Sequence, residues 1–334
     1  MDIFEKLNNS IMFNLSLSSK ELFHSNLLGY LFKRDNTLFG KMVKNKNCIV
    51  KEVKREYNHI DIEITGEDGK KYLIENKVKD IIDCPQLDKI QNTNKGYEKY
   101  YLFSLLGDNL EKLDTQYPFW EEIGYEQIIQ VLTAYSFNDE TVDLIKNDYC
   151  AFMSDMISLL KQHYSKCNRY MLFWDKSEDN LLEQYKRIRL HDVFQKYGVS
   201  HFVNYFRKKH PDAEIESSHD YIRNGIMNFS SKKTNNGEYI IEIQIENGEY
   251  RKSIIGAKKS EESLRRKFES IGWFNKNWKS PKKLTYLSYD HKDGNKRWYQ
   301  IPEIVNNMSY DDLCEKIKSD LHRVSRALNN YDQG

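Results

Sequence analysis

The feature that most constrains the fold is the two-residue alternation of apolar and polar side chains between residues 48 and 78. The segments 48–57, 59–69 and 70–78 each alternate, and this period is typical of β-strands with one buried face. The residues EDGKK (67–71), between the last two segments, are typical of a hairpin turn. Three strands are therefore predicted, the last two of them paired as a hairpin.

The neighbouring segments have helical spacing. Apolar residues between positions 22 and 31 recur every three or four residues after serines that can cap a helix. Pro85 begins a second helix that ends near Gly96, a strand is predicted at 100–107, and an amphipathic helix follows it. The order helix, three strands, helix, strand, helix predicts an α/β domain with a mixed central sheet flanked by helices.

The remainder of the chain divides into two further parts. Residues from about 140 to 208 have helical patterns, and the last third combines strand-like and helical segments. We therefore predict an α/β core at 1–138, a helical extension at 139–208 and an α+β domain at 209–334. A chain of 334 residues is long enough for more than one hydrophobic core.

Composition excludes several classes of protein. With 39% hydrophobic and 30% charged residues, the chain is typical of a globular protein and not of a disordered one. It contains no run of about 18 apolar residues that would span a membrane and no secretory signal. Its five cysteines are scattered without a CxxC pair, which favours reduced thiols. We therefore expect a cytoplasmic protein without a membrane partner.

One predicted strand carries charges within an apolar run. In YLIENKVKD (72–80), Glu75 and Lys77 share a face with Leu73 and Lys79, since side chains alternate along a strand. In the preceding strand, Asp61 and Glu63 share one face. If the two strands pair through the EDGKK turn, Asp61 and Glu75 converge, and Lys77 lies one step further along.

Two interpretations of these charges are open. Cross-strand ion pairs on a solvated sheet face would explain them without any chemistry. Alternatively, two close carboxylates with a cation between them form a site for Mg²⁺ or Mn²⁺, and a lysine beside that metal can orient or deprotonate an attacking water. Leu73 favours the second interpretation, because an apolar residue on the same face indicates that the face is not simply solvated.

The wider pattern resembles a known family. Asp61, followed after thirteen residues by Glu75-Asn76-Lys77, resembles the D…(D/E)-x-K signature of the PD-(D/E)XK nuclease superfamily. ELFHSNLLGYLF (21–32) resembles its first core helix, and IENKVKDIIDCPQLDKI (74–90) resembles the segment in which E-N-K precedes a helix that begins Gln-Leu. The segments 100–109, 120–132 and 186–198 resemble later elements of the branch typical of bacterial and phage proteins. The resemblance covers about residues 15–200.

The resemblance implies a restriction-endonuclease-like core and a nuclease of the endonuclease type, which would hydrolyse DNA in bacterial or phage defence or in DNA processing. It further implies Mg²⁺ as cofactor, with Mn²⁺ able to substitute. Asp61, Glu75 and the backbone carbonyl of Asn76 would bind the metal. RNA is the alternative substrate. A homodimer would suit the cutting of both strands, although nothing in the sequence shows one.

Three further residues receive roles by the same resemblance. Lys77 would position or activate the attacking water, and Gln86 would orient that water or the phosphate. Glu21 would be an additional metal ligand, directly or through a water. Two positions depart from the family pattern, because Ile60 replaces the proline of the motif and Ile90 stands where many relatives have a tyrosine.

Other titratable residues near the motif have structural interpretations. A lone histidine on a helix, such as His24, is more often a packed or hydrogen-bonded residue than a catalytic one. Glu52 and Glu56 are expected to pair with the basic residues beside them, Lys51, Lys54 and Arg55. Glu63 is the better candidate for a second metal, because it shares the face of Asp61, although it is expected to lie away from the centre.

The formal net charge is only +1, so any nucleic-acid surface must be local. Between residues 251 and 297 there are 14 Lys and Arg against 5 Asp and Glu. This excess predicts a nucleic-acid contact, with a protein partner as the alternative, through Arg265, Arg266, Lys276, Lys279, Lys282 and Lys283. The aromatic residues of the segment could stack bases, but an ordinary aromatic core is slightly favoured.

Two hypotheses of other classes compete with an enzyme. The first is a nuclease-like module that binds nucleic acid or a partner without cleavage. The second is a regulatory subunit whose catalytic chemistry is supplied by another chain. The complete set Asp61, Glu75, Lys77 and Gln86 favours the enzyme, because a decayed site usually lacks at least one member.

Overall fold

A computed structural model describes residues 2–18, 20–57, 60–79, 84–105, 118–165, 179–211, 215–220, 226–231, 239–246, 248–256, 266, 268–274, 279–283, 296–299, 303–305 and 308–331. The chain forms two compact units. The first comprises residues 1–163 and 184–193, and the second comprises 164–183 and 194–334. The three-part division predicted from the sequence stays a prediction.

The first unit begins with helices and continues with strands. Its helices before the sheet are α1 (Ile3–Asn9), α2 (Ile11–Ser16), α3 (Lys20–Arg34) and α4 (Leu38–Met42). The predicted strands follow as β1 (Val50–Tyr57), β2 (Ile60–Gly66) and β3 (Lys71–Lys77). Next come α5 (Cys84–Thr93), β4 (Lys99–Ser104), β5 (Trp120–Gly124), α6 (Tyr125–Thr133) and α7 (Glu140–Ser165). A shorter helix, α8 (Asp179–Arg187), ends in this unit.

Within the described residues, the first unit holds a five-stranded sheet in the order β1-β2-β3-β4-β5. β1, β2 and β3 are antiparallel, whereas β3, β4 and β5 are parallel, so the sheet is mixed as predicted. The hairpin of β2 and β3 pairs Ile62 with Ile74 and Glu63 with Leu73. Gly69 supplies the positive φ of 79° in its turn, which glycine adopts without steric cost.

Helices cover both faces of this sheet. Ile62, Ile64 and Ile74 are fully buried on one face, and α3 contacts β1, β2 and β3. On the other face, α5 contributes Leu87 and Ile90 to a hydrophobic cluster, together with Ile60, Leu73, Tyr100, Leu102 and Trp120. The mixed α/β class with flanking helices is therefore confirmed. The face that carries Glu75 and Lys77 is covered by α5, as Leu73 indicated.

The second unit is built on an antiparallel sheet. Its strands are β6 (Ile215–Asp220), β7 (Ile226–Ser231), β8 (Tyr239–Glu246), β9 (Glu249–Gly256), β10 (Lys279–Lys283), β11 (Lys296–Tyr299) and β12 (Glu303–Ile304). In the part of the chain that the structure describes, the sheet has the order β10-β11-β9-β8-β7-β6, with β12 beside β9. Its principal helices are α9 (His191–Lys209) and α10 (Tyr310–Tyr331), and α10 contacts β7 and β8.

The helices expected between 140 and 208 and near the C-terminus are confirmed as α7, α8, α9 and α10. Of the strand-like and helical segments in the last third of the chain, residues 284–290 and most of residues 260–272 lie outside the described residues. Of the helices that are described, none is long and apolar enough to cross a membrane.

Candidate active site

The carboxylate of Asp61 lies against the backbone of the neighbouring strand. Its Oδ2 atom accepts a hydrogen bond from the backbone N–H of Asn76 at 2.7 Å. The hairpin register, with Ile62 opposite Ile74, continues towards Asp61 and Glu75. Both acidic residues therefore stand on the same face of the sheet, which is the convergence that the alternation predicted.

Glu75 is the centre of the polar contacts at this site. Its side chain is 5% exposed, and its Oε1 atom lies 2.9 Å from Nζ of Lys77. Nε2 of Gln86 donates a hydrogen bond to the same oxygen at 2.8 Å. Gln86 reaches Glu75 because the next residue, Leu87, is buried in the core and fixes the first turn of α5 on the sheet.

Burial, and then the charges of neighbouring side chains, dominate the electrostatics of the site. Burial, and then the charge of Glu75, raise the pKa of Asp61 from its ordinary 3.8 to about 7. Burial also raises the pKa of Glu75. Burial by itself would lower the pKa of Lys77, but attraction to Glu75 and Asp61 outweighs it, and that pKa is raised. Lys77 is thus a cation at neutral pH, whereas Asp61 is only partly ionised there.

Glu21 reaches this region from the first turn of α3. Its two carboxylate oxygens accept backbone N–H groups of Val78 and Lys79 at 2.6 and 2.7 Å, directly after the end of β3. The charge of Glu21 also raises the pKa of Glu75, so the two carboxylates are near neighbours. The observed contact is an anchor for the end of β3, and the metal-ligand role of Glu21 stays a prediction.

The side chain of Asn76 points away from the acidic residues. Its Nδ2 donates to Oγ of Ser25 at 3.1 Å, and its Oδ1 accepts from the hydroxyl of Tyr125 at 2.8 Å. The side chain is fully buried on the opposite face of the sheet. Only the backbone of Asn76 is therefore presented towards Asp61.

His24 and Ile90 belong to the core. His24 is fully buried, and its Nδ1 lies 3.1 Å from the hydroxyl of Tyr149. Burial, and then the positive charge of Lys79, lower its pKa, so the imidazole is neutral. Ile90 packs in the hydrophobic cluster beside Leu87, where it anchors α5. The structural interpretation of His24 is confirmed.

Glu63 lies in a separate cluster. It accepts a hydrogen bond from the hydroxyl of Tyr97 and pairs with Lys54 at 3.6 Å and Lys71 at 3.7 Å. The expectation that Glu63 lies away from the centre is confirmed. Glu52 pairs with Lys54 at 3.4 Å, also as expected.

Two acidic residues near the site, Glu56 and Glu122, were not identified as such from the sequence. The charge of Glu56 raises the pKa of both Asp61 and Glu75, and among the described residues Glu56 makes no ion pair with Lys51, Lys54 or Arg55. Its φ of 53° breaks the strand alternation on which the sequence argument depended. On β4, Ser104 stands opposite Lys77 and donates a hydrogen bond to Glu122 of β5.

The available ligands fit a magnesium site with few protein ligands better than a metal site in which the protein supplies every ligand. No group of three or more His, Cys, Asp and Glu side chains able to hold a metal occurs in the described part of the chain. Asp61, which is partly buried, and Glu75, which is buried, nevertheless provide two neighbouring carboxyl groups. Burial, and then the charge of Glu75, raise the pKa of Asp61. Magnesium commonly binds one or two protein carboxylates and takes its other oxygens from water and phosphate.

The basic segment of the second unit is only partly described. Arg266 is exposed, whereas Arg265 and Lys276 lie outside the described residues. Lys279, Lys282 and Lys283 belong to β10, and only their backbone is described. Trp273 and Phe274 are 1% and 3% exposed, so these two aromatic residues belong to the hydrophobic core. This agrees with the interpretation that was slightly favoured over base stacking.

Comparison of the chain with protein-family models, curated proteins and solved structures finds no match. A functional assignment must therefore depend on the residues of the chain itself.

Proposed function

We propose that this chain is a divalent-metal-dependent nuclease with a restriction-endonuclease-like core, which hydrolyses phosphodiester bonds of DNA with Mg²⁺ or, in its place, Mn²⁺. The observation that carries the proposal is the pair of Asp61 and Glu75 on one face of the sheet, with Lys77 bound to Glu75. A divalent cation beside this pair would offset the cost of ionising two neighbouring carboxyl groups, and this favours a cation-binding role.

The residues would divide the chemistry as follows. Asp61, Glu75 and the carbonyl of Asn76 would hold Mg²⁺, which when bound lowers the pKa of a coordinated water and offsets charge on phosphate oxygens. Lys77 is protonated, so its ammonium group would donate a hydrogen bond to the water or the phosphate and stabilise the negative charge of the transition state.

Two other residues would act as positioning residues. Gln86 holds Oε1 of Glu75 through its amide and so fixes the orientation of that carboxylate. Glu21 binds the two backbone N–H groups that directly follow Lys77, and it thereby fixes the end of the strand that carries the reactive side chains. Both contacts limit the freedom of groups that must hold a substrate in place.

A second candidate function is nucleic-acid or partner binding without cleavage. One observation favours it, because protein donors already occupy the carboxylates. Oε1 of Glu75 contacts both Lys77 and Gln86, and Oδ2 of Asp61 accepts the N–H of Asn76. Such a network can be stable as a purely structural one.

Incubation of the purified chain with plasmid, linear duplex, single-stranded DNA and RNA, each with Mg²⁺, Mn²⁺ or EDTA, separates the two candidates. The nuclease should cut at least one substrate with metal and none with EDTA, and Asp61→Ala and Lys77→Met should abolish cutting. Lys71→Met is the matched control, because Lys71 lies on the same strand and face but pairs with Glu63.

The outcomes are distinct. Equal behaviour of the wild type and Asp61→Ala on every substrate would show that the catalytic proposal is wrong. Retention of nucleic acid by a chain that cuts none of these substrates with either metal would favour the binding module.

A further inference from the structure

A cavity of about 310 Å³ lies in the first unit, apart from the acidic residues. Its apolar lining comes from Phe13, Leu17 and Ile188, of which Phe13 and Ile188 are buried. Phe13 belongs to α2, Leu17 directly follows that helix, and Ile188 directly follows α8. A volume of this size is within the range of small-ligand sites.

The rest of the lining is polar and basic. It comprises Asn8, Asn14, Ser18, Arg187 and Arg189, and the described lining includes no acidic residue. Asn14 already donates its amide N–H groups to backbone oxygens of Asn8 and of Ser10. Among the described residues neither arginine makes an ion pair or a side-chain hydrogen bond, so two guanidinium groups remain to bind an anion. A guanidinium can bind phosphate through two parallel N–H donors.

The backbone of Arg189 is unusual. At the end of α8, the N–H of Leu190 donates to the carbonyl of Tyr185 at 2.9 Å, and the N–H of Arg189 donates to that of Lys186 at 3.0 Å. This pair of bonds is the Schellman motif, in which Arg189 occupies the left-handed position that glycine normally takes. Its φ is 56°, a conformation that is strained for an L-residue with a side chain.

This strain is informative about the side chain. Tyr185 and Leu190 are fully buried and supply the apolar contact that accompanies such a helix end, so glycine at position 189 would preserve the motif. The chain instead has an arginine, and this residue lines the cavity. Strained backbone positions are concentrated at binding and catalytic sites, where the side chain serves a function.

The cavity and the acidic residues are joined by one short segment. Leu17 and Ser18 line the cavity, and the residue before them, Ser16, accepts a hydrogen bond from Nζ of Lys79 at 2.6 Å through its carbonyl oxygen. Three residues after Ser18, Glu21 binds the backbone at the end of β3. The Cα atoms of Ser18 and Glu21 can be at most about 11 Å apart. A separation of this length is at most about three nucleotide steps of 3.4 Å along one strand.

We infer that this cavity binds a phosphate group of the nucleic-acid strand, a few nucleotides from the bond that is cut, through Arg187 and Arg189. The inference rests on the proposed nuclease function. The cavity would fix the position of the strand along the protein, because phosphate contacts position a nucleic acid without reading its sequence. A free nucleotide would present the same phosphate chemistry, and the test must distinguish the two sources.

Arg189→Gly is the decisive variant, because it removes the guanidinium while it relieves the backbone strain. Binding of a fluorescently labelled 12-nucleotide strand is measured by anisotropy in EDTA, so that cleavage does not interfere, at several salt concentrations. Arg189→Gly should weaken binding by about fivefold to tenfold and reduce the slope of log Kd against log salt by about one, while the thermal midpoint stays equal or rises. Arg187→Gln should also weaken binding.

Lys33→Gln is the control for the loss of one positive charge elsewhere in the first unit, since Lys33 is exposed on α3 and outside the cavity. Wild-type affinity and slope in Arg189→Gly, or a loss no larger than that of Lys33→Gln, would overturn the inference. A deoxynucleoside monophosphate whose binding is lost in Arg189→Gly while strand binding is unchanged would overturn the assignment to the strand.

The two proposals fail separately in this experiment. If the wild type cuts no substrate while Arg189→Gly still weakens strand binding as expected, the phosphate site is supported and the nuclease function is not. If the wild type cuts DNA and Arg189→Gly binds and cuts as the wild type does, the nuclease function is supported and the phosphate site is not.

Discussion

Replacement of Asp61 by asparagine should stabilise the metal-free protein at alkaline pH. Burial and the charge of Glu75 raise the pKa of Asp61 from 3.8 to about 7. Because the native pKa lies above the unfolded one, the folded protein binds the proton more tightly. The stability that this carboxyl contributes is fully present below about pH 4 and is lost as the pH rises through 7. Asparagine cannot ionise, and its amide oxygen can still accept the N–H of Asn76.

The size of the effect follows from the two pKa values. A tenfold change in proton affinity corresponds to about 1.4 kcal/mol, so a pKa change from 3.8 to about 7 corresponds to at most about 4 kcal/mol. For a unit of this size, 1 kcal/mol shifts the thermal midpoint by roughly 2–4 °C. Asp61→Asn should therefore raise the midpoint at pH 8 by up to roughly 8–16 °C in EDTA, and by much less at pH 4.

Thermal unfolding of the full chain between pH 4 and 8.5, with EDTA and with excess Mg²⁺, tests this argument. Mg²⁺ should raise the midpoint of the wild type at pH 8 but not that of Asp61→Asn, because a ligand that binds only the folded state stabilises it. Asp88→Asn, on the exposed surface of α5, is the control for the loss of a carboxylate. Midpoint curves of the wild type and Asp61→Asn that run parallel across this pH range would refute the reasoning.

Three further results are expected. Gln86→Ala should lower kcat/KM for DNA cleavage by up to about tenfold without loss of strand binding, because Glu75 loses one orienting hydrogen bond, whereas an unchanged rate would remove Gln86 from the site. Leu87→Ala should lower the free energy of unfolding by about 2–4 kcal/mol, measured by urea denaturation, because this side chain is 1% exposed in the core. Charge reversal at Lys279, Lys282 and Lys283 should weaken DNA binding and flatten its salt dependence while Mg²⁺ binding persists, and unchanged binding would exclude this segment as a contact.

The part of the fold that follows local rules was predictable. Alternation identified β1, β2 and β3, and the glycine turn fixed their pairing, so the convergence of Asp61 and Glu75 could be derived from the sequence. The strand β5 was not predicted, because Trp120–Gly124 is short and has two adjacent glutamates in place of alternation. Its position depends on parallel pairing with β4, which is a long-range contact.

The site was predictable only where side-chain direction follows from strand period. Glu21 was placed near the site by resemblance, but its bonds to the N–H groups of Val78 and Lys79 depend on how α3 packs, which local pattern does not specify. Glu56 was assigned to surface pairs because alternation assumes regular strand geometry, and its positive φ departs from that geometry. The cavity beside Arg189 could not be foreseen, since it joins segments that are distant in sequence.

The two-sided bonding of Asn76 has a consequence for random mutagenesis. On one face its backbone N–H holds Asp61, and on the other its side chain is held by Ser25 and Tyr125. A screen for loss of cleavage should therefore recover substitutions at Ser25 and Tyr125, although neither side chain lies on the acidic face. Such variants would be mistaken for folding defects unless their expression levels were measured. They would show that residues on the opposite face of the sheet are also required for activity.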